Sequence, residues 1–195
     1  PATGFPVNYG GTNPRFIAIG DFDHDGRFDI AVANLSSDNV TILLNRTTFT
    51  GSFIDPPTFS SASYNVAPGP DGIAIGDLNA DGKQDVVTIT ADGVPEPVSV
   101  LLGAGDGSLR PHTDYPAGPD IGAVRLADLN SDGRLDVLAF STSFLYILLA
   151  NGDGVLVGVV PRHEHAPMIV EALIEPAEQL AILRSPVDAP PVHDQ

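Results

Sequence analysis

The chain has 195 residues and a formal net charge of −16, with 43% apolar and 17% charged residues. This balance predicts a globular chain, and its acidity argues against nucleic acid as a partner, because such binding depends on Lys and Arg at phosphates. The sequence contains no Cys, which excludes disulfides and thiolate chemistry, and none of its apolar runs is long enough to span a bilayer.

Three copies of an acidic pattern, D-x-[DN]-x-D-G-x-x-D, organise the chain into repeats. They occupy residues 21–29, 77–85 and 128–136, which we call acidic loops one, two and three. The spacing of about 50 residues is typical of a repeated supersecondary unit. Each copy follows one short apolar run and precedes another, which predicts a loop between two β-strands.

Four short strands are predicted for each repeat. Three of them are Phe16–Gly20, Asp29–Asn34 and Val40–Leu44 in repeat one, Gly72–Gly76, Asp85–Thr90 and Val98–Leu102 in repeat two, and Ala123–Ala127, Asp136–Ser141 and Phe144–Leu149 in repeat three. Edge strands followed by turns are predicted at Phe5–Tyr9, Tyr64–Gly69 and Tyr115–Gly118, and a surface loop at Asn45–Ser61.

This pattern predicts an all-β chain, a partial β-propeller of about three four-stranded blades. The blade cores are expected at about 16–67, 72–117 and 123–161. The alternative is a sandwich that contains three chance hairpins. Near-continuous apolar runs such as Ile30–Ala33 favour blades, because they suit strands that are covered on both faces.

The repeat pattern weakens after Val160. We therefore expect propeller blades over 1–160, and a degenerate partial fourth blade with a flexible tail over 161–195. Residues 166–174 and 179–183 are predicted strands, although a broken helix over 168–183 is the alternative. Because the chain begins at Pro1 rather than Met, we expect a processed product or a piece of a longer chain.

The acidic loops have the donor pattern of a Ca²⁺ site. Side-chain oxygens at loop positions 1, 3 and 5 converge because the chain curls at Gly in position 6, while position 7 offers a backbone carbonyl and position 9 a carboxylate. The predicted metal ligands are Asp21, Asp23, Asp25, Arg27 and Asp29; Asp77, Asn79, Asp81, Lys83 and Asp85; and Asp128, Asn130, Asp132, Arg134 and Asp136. Arg27, Lys83 and Arg134 are expected to contribute through their backbone carbonyls. The alternative is an Asp-rich turn that hydrogen bonds alone hold together.

An EF-hand loop begins with the same residue types, but it requires Glu at position 12 and flanking helices. Position 12 is Val32, Thr88 or Ala139 here, and the flanking segments are rich in β-formers. All-oxygen donors argue against Zn²⁺, and flexible coordination by several carboxylates favours Ca²⁺ over Mg²⁺. We therefore expect about three structural Ca²⁺ ions, one in each loop.

The stretch from Ile17 to Val32, together with the Gly-Asp-Gly turns between repeats, resembles the FG-GAP/VCBS repeat family. Repeats of that family form the calcium-loop blades of integrin α-subunit propellers, of a fungal propeller lectin and of many bacterial surface proteins. The resemblance covers about residues 5–160 and implies propeller blades with Ca²⁺ at the residues named above. Propellers of the family usually close with about seven blades, whereas three are evident here.

An open arc of three blades would expose two sheet faces. It predicts self-association, into a dimer that closes a ring or into a filament, or docking on another surface protein. We expect a non-catalytic, calcium-stabilised module for adhesion or self-assembly, extracellular or at the cell surface, because Ca²⁺ is plentiful there. The Cys-free composition favours a bacterial source.

Two other functions are the alternatives. The first is a carbohydrate-binding lectin, which would make a glycan the partner, although the absence of Trp argues against it. The second is an enzyme on a propeller scaffold, for which the sequence offers no nucleophile elbow or phosphate loop.

Three further features are candidates outside the acidic loops. His24, at position 4 of loop one, is expected to be a solvated loop residue. His163 and His165 form a weak metal-binding pair without an evident third ligand. Asn45 begins an N-x-T sequon, which matters only where exported chains are glycosylated.

Overall fold

The computed structural model describes residues 10–48, 56–90, 97–142, 144–154 and 156–163. The predicted strands at Phe5–Tyr9, 166–174 and 179–183, the predicted tail and the His163–His165 pair lie outside the residues or side chains described. Whether the propeller region divides from a partial blade at residue 160 therefore stays a prediction.

The described residues form twelve strands in three sheets. The strands are β1 (Pro14–Gly20), β2 (Asp29–Asn34), β3 (Asn39–Asn45), β4 (Phe59–Asn65), β5 (Pro70–Gly76), β6 (Asp85–Thr90), β7 (Pro97–Leu101), β8 (Thr113–Pro116), β9 (Ile121–Ala127), β10 (Asp136–Ser141), β11 (Phe144–Ala150) and β12 (Leu156–His163). Consecutive strands pair antiparallel as β1–β4, β5–β8 and β9–β12. This confirms the all-β fold with three four-stranded blades.

The fourth strand of the first blade lies earlier in the chain than predicted. The hairpin of β3 and β4 pairs Asn45 with Phe59, so the ends of the predicted loop Asn45–Ser61 belong to strands. The backbone N–H of Arg46 continues the hairpin by donating to the carbonyl of Thr58 at 2.8 Å. Most β4 residues are polar and exposed, so this strand carries no apolar alternation from which it could be predicted.

The three blades stack through the faces of their sheets. Strand β5 of the second blade packs beside β1 of the first and β9 of the third. Every residue of β6 is buried, as expected for a strand that is covered on both faces. Where blades one and two meet, a Cβ on Gly20 would lie 2.6 Å from Ile75 Cδ1, so glycine permits the close approach.

Two apolar clusters fill the spaces between blades. Between the first and second blades, residues such as Ile42 pack with Val86 and Leu101. Between the second and third blades, residues such as Ile89 pack with Val124. The acidic loops follow β1, β5 and β9, the three strands that lie side by side, so the stacking brings the loops to the same rim of the arc.

Candidate metal centres

The three acidic loops adopt the same backbone conformation. Glycine at position 6 has a positive φ in each: 83° at Gly26, 82° at Gly82 and 84° at Gly133. This confirms the predicted need for glycine. Position 4 is also left-handed, with φ of 56°, 58° and 60° at His24, Ala80 and Ser131. The sequence gives no sign of that, because Ala and Ser do not favour this conformation.

The position 1 carboxylate lies at the centre of each curled loop. In loop one, Asp21 accepts hydrogen bonds from the backbone N–H groups of Asp25 at 3.2 Å and Gly26 at 3.0 Å. Asp77 and Asp128 accept the same pair of bonds from positions 5 and 6 of their loops. The side chain therefore holds the turn closed and keeps its oxygens inside it.

Positions 5 and 7 form an ion pair in every loop. The Asp25 carboxylate accepts the Arg27 backbone N–H at 2.9 Å and also pairs with the Arg27 guanidinium. The equivalent pairs are Lys83 with Asp81 at 2.9 Å and Arg134 with Asp132 at 3.4 Å. Only a backbone carbonyl is predicted at position 7 from the sequence, although a D-x-[KR] spacing repeated three times is a signal for this ion pair.

The position 9 carboxylates are completely buried and tie each loop to a distant strand. Asp29 accepts the Phe22 N–H of its own loop at 2.8 Å and the Asn45 N–H at the end of β3 at 2.7 Å. Asp85 and Asp136 repeat this arrangement; their donors are Leu78, Gly103, Leu129 and Ala150. Position 9 therefore joins the loop to the end of the third strand of its blade, or in blade two to Gly103 just beyond it, as well as to the second strand.

Burial raises the pKa of these position 9 carboxyl groups. Removal of the carboxylate from water is the largest cause at Asp29, Asp85 and Asp136, and the charges of other aspartates in the same loop raise the pKa further. The effect is greatest at Asp85, whose pKa rises to about 6. A cation in the loop would oppose both effects by stabilising the ionised form.

Loop one brings three of its predicted ligands together. Oxygens of Asp21, Asp23 and Asp29 all lie within 4.8 Å of one another, whereas Asp25 is directed towards basic side chains. The Asp23 side chain is only 7% exposed, and its Oδ1 is buried without a hydrogen-bond partner. A buried carboxylate oxygen without a partner is costly unless a cation or donor meets it, so these hard oxygen donors fit Ca²⁺.

Loops two and three have Asn at position 3, so they cannot bring together three carboxylates from positions 1, 3 and 9. The side-chain oxygens of Asn79 and Asn130 each accept the backbone N–H of position 5 at 3.1 Å. Their amide oxygens therefore lie on the inner side of the loop. Whether each of the fifteen predicted residues ligates a metal stays a prediction.

Two residues near loop one make contacts that were not predicted from the sequence. Arg46, beyond the end of β3, pairs with Asp23 at 2.6 Å and Asp25 at 3.5 Å. His24 is exposed as expected, but its ring nitrogens lie 3.0 Å from the Gly82 carbonyl and 3.2 Å from the Gly105 carbonyl in blade two. These bonds raise the His24 pKa. They depend on the stacking of blades, which no local pattern encodes.

Comparison with known families supports the repeat assignment. A family model described as FG-GAP-like repeat matches residues 21–88 and 77–139. The two matches begin at acidic loops one and two, and together they cover more than half of the chain. A search of curated proteins found no significant match to this chain. The described residues contain no apolar helix of the length that a bilayer span requires.

Proposed function

Because this chain belongs to the FG-GAP-like repeat family, we propose that it is a calcium-stabilised, non-catalytic β-propeller module that acts in adhesion or self-assembly outside the cell. The buried, unpartnered Asp23 Oδ1 among three carboxylates carries the calcium part of this proposal. The three acidic loops share one backbone conformation and one set of internal hydrogen bonds, so the same role extends to each.

Each loop would hold one Ca²⁺ through side-chain oxygens at positions 1, 3, 5 and 9 and the backbone carbonyl at position 7. The ion supplies positive charge where aspartates converge. The protein supplies a curled backbone, fixed by position 1, and a link to the third strand, made by position 9. Calcium is therefore expected to stabilise each blade from within.

The test is unfolding of the whole chain in Ca²⁺, in Mg²⁺ and in EGTA. A ligand at 100 times its Kd stabilises the folded state by about 2.7 kcal/mol per site, so the Tm should rise clearly in Ca²⁺ and less in Mg²⁺. Calorimetry should give about three ions per chain. Asp23→Ala should remove one ion, whereas Asp106→Ala, at an exposed turn outside the loops, should remove none. Equal Tm values in the three media would favour a turn held by hydrogen bonds alone.

The assembly part of the proposal is supported by one face of the first blade. Ile17 and Ile19 lie on the same face of β1 and are 63% and 59% exposed. The residues of blade two that correspond to Ile17 and Ile19 pack into the core shared with blade one. Those of blade three, Val124 and Leu126, pack into the core shared with blade two. The exposed face therefore corresponds to the faces of blades two and three that a neighbouring blade covers. We propose that a second copy of the chain covers this face of blade one.

Self-association can be measured by light scattering and sedimentation over micromolar concentrations. Ile17→Lys with Ile19→Lys should shift the chain towards monomer, because two charges would be buried at the contact. Ser61→Lys, on the exposed edge strand β4, is the matched control and should leave the oligomer intact. A wild-type chain that stays monomeric throughout this range would refute the assembly proposal.

A groove between the first two blades favours carbohydrate binding as a second candidate. Its lining includes Tyr64 and Asn65 from β4 and Arg110 and His112 from the β7–β8 connection. An aromatic ring beside several hydrogen-bonding groups is the general composition of a small-molecule site, and a sugar is the ligand class that we propose for it. A glycan array with the wild-type chain tests this directly, and His112→Ala should weaken any binding that uses the groove.

A further inference from the structure

Acidic loop one differs from the other two loops at two linked places. Position 3 is Asp23 in loop one but Asn79 and Asn130 in the others. The second place follows the residue whose backbone N–H donates to the position 9 carboxylate, which is Asn45, Gly103 or Ala150. The next residue along the chain is Arg46 in blade one, whereas Ala104 and Asn151 stand there in blades two and three. The extra acid and the extra base thus occur in the same blade.

The two residues are in direct contact. Arg46 Nη1 donates to Asp23 Oδ2 at 2.6 Å and lies 3.5 Å from Asp25 Oδ2. The remainder of Arg46 is held by the β3–β4 hairpin, since its backbone N–H bonds to Thr58 and its Nε donates to Ser60 Oγ at 3.3 Å. Arg46 therefore occupies one Asp23 oxygen, while the other, Oδ1, is left buried and without a partner.

With this pair included, the three loops carry the same charge. Loop one has four aspartates, two of which, Asp23 and Asp25, pair with Arg46 and Arg27. Loops two and three each have three aspartates, one of which pairs with Lys83 or Arg134. Each loop therefore retains two excess negative charges, which match one divalent cation.

We propose that Arg46 is a positioning residue and a built-in counter-charge for metal binding at acidic loop one. Arg46 leaves Asp23 with a single available oxygen, equivalent to the amide oxygen of Asn79 or Asn130. It also reduces the Ca²⁺ affinity of loop one to that expected for a loop with two excess negative charges. The number of ligand charges is a main determinant of Ca²⁺ affinity. This inference rests on the proposed calcium binding.

The experiment follows each loop separately in the full chain. The backbone amides of Gly26, Gly82 and Gly133 bond to the position 1 carboxylates of loops one, two and three. Their NMR signals during a Ca²⁺ titration give three separate affinities. The variants are Arg46→Gln, Asp23→Asn and the double variant, which gives loop one the position 3 Asn and the uncharged neighbour found in the other blades.

Arg46→Gln should tighten Ca²⁺ binding at loop one, as reported by the Gly26 amide, about tenfold. This is the effect expected when one unit positive charge is removed about 6 Å from a divalent ion in a water-like dielectric. Asp23→Asn should weaken it by about the same factor. The double variant should return to within about threefold of wild type, because the two charges cancel. Arg46→Lys, which keeps the charge, should also stay near wild type. The affinities at Gly82 and Gly133 should not change in any variant.

Unchanged or weaker binding at Gly26 in Arg46→Gln would overturn the inference, and so would a double variant that does not recover. In both cases a normal Ca²⁺ response at Gly82 and Gly133 would leave the proposed function standing. If no glycine amide of the wild-type chain responds to Ca²⁺, the proposed function fails as well, and the inference fails with it.

Discussion

Asp85 should be among the most sensitive polar residues of the chain, even without a metal ion. Its side chain is fully buried and accepts the Leu78 N–H at 2.9 Å and the Gly103 N–H at 2.8 Å. Asp85→Ala removes both acceptors and leaves two buried amide groups without partners, at a cost of about 1–3 kcal/mol each. Part of this is offset, because the variant no longer buries a carboxylate whose pKa has risen to about 6. This offset is about 3 kcal/mol, so we expect a net loss of up to about 3 kcal/mol at pH 7.

The assay is urea unfolding in EGTA, followed by circular dichroism, so that metal affinity does not enter the result. Asp81→Ala is the matched control, because Asp81 lies in the same loop but its carboxylate is partly exposed and pairs mainly with Lys83. The control should lose less than about 1 kcal/mol. If Asp85→Ala and Asp81→Ala lose similar amounts, position 9 does not act as the buried link between loop and third strand that its hydrogen bonds indicate.

Three further predictions concern pH, backbone conformation and the contact between blades. The folded state holds a proton on Asp85 more tightly than the unfolded state does, so the contribution of Asp85 to stability increases as pH falls through 6. The difference in unfolding free energy between wild type and Asp85→Ala should therefore grow by about 1 kcal/mol from pH 7 to pH 5 in EGTA. A difference that shrinks would contradict the raised pKa. Gly82→Ala should cost about 1–2 kcal/mol in urea unfolding, because φ is 82° while nothing lies within 4 Å of the added Cβ; a neutral result would mean that the loop changes its conformation. Gly20→Leu should cost about 1–3 kcal/mol by forcing Ile75 away from the first blade, and unchanged stability would show that the blades separate there without loss.

The residues within each repeat were the most predictable part of the molecule. An acidic loop is encoded by nine consecutive residues, and a glycine at position 6 has one evident use in a tight turn. The apolar runs beside the loops determine the first two strands of each blade, because a short run next to turn residues has few other structures available. Strand β4 was misplaced for the opposite reason, since its polar residues are fixed by pairing with β3 and not by their own pattern.

The contacts that distinguish one loop from another could not be predicted from the sequence. Arg46 reaches Asp23 only because the β3–β4 hairpin returns beside loop one. His24 reaches the Gly82 carbonyl only because two blades stack. Both contacts join residues far apart in the chain, and a repeat pattern describes what the repeats share and not where they differ.

The buried position 9 carboxylates explain why an acidic chain of this kind would depend on a cation. Each carboxylate is the stronger acceptor for its two backbone N–H groups when it is ionised, yet burial and neighbouring aspartates raise its pKa. A divalent ion beside it would remove that conflict, because it favours the ionised form and neutralises the other aspartates. Calcium would then stabilise the hydrogen bonds that join the loop to the third strand, while the apolar faces hold one blade to the next. Metal removal should accordingly loosen each blade internally before it separates the blades.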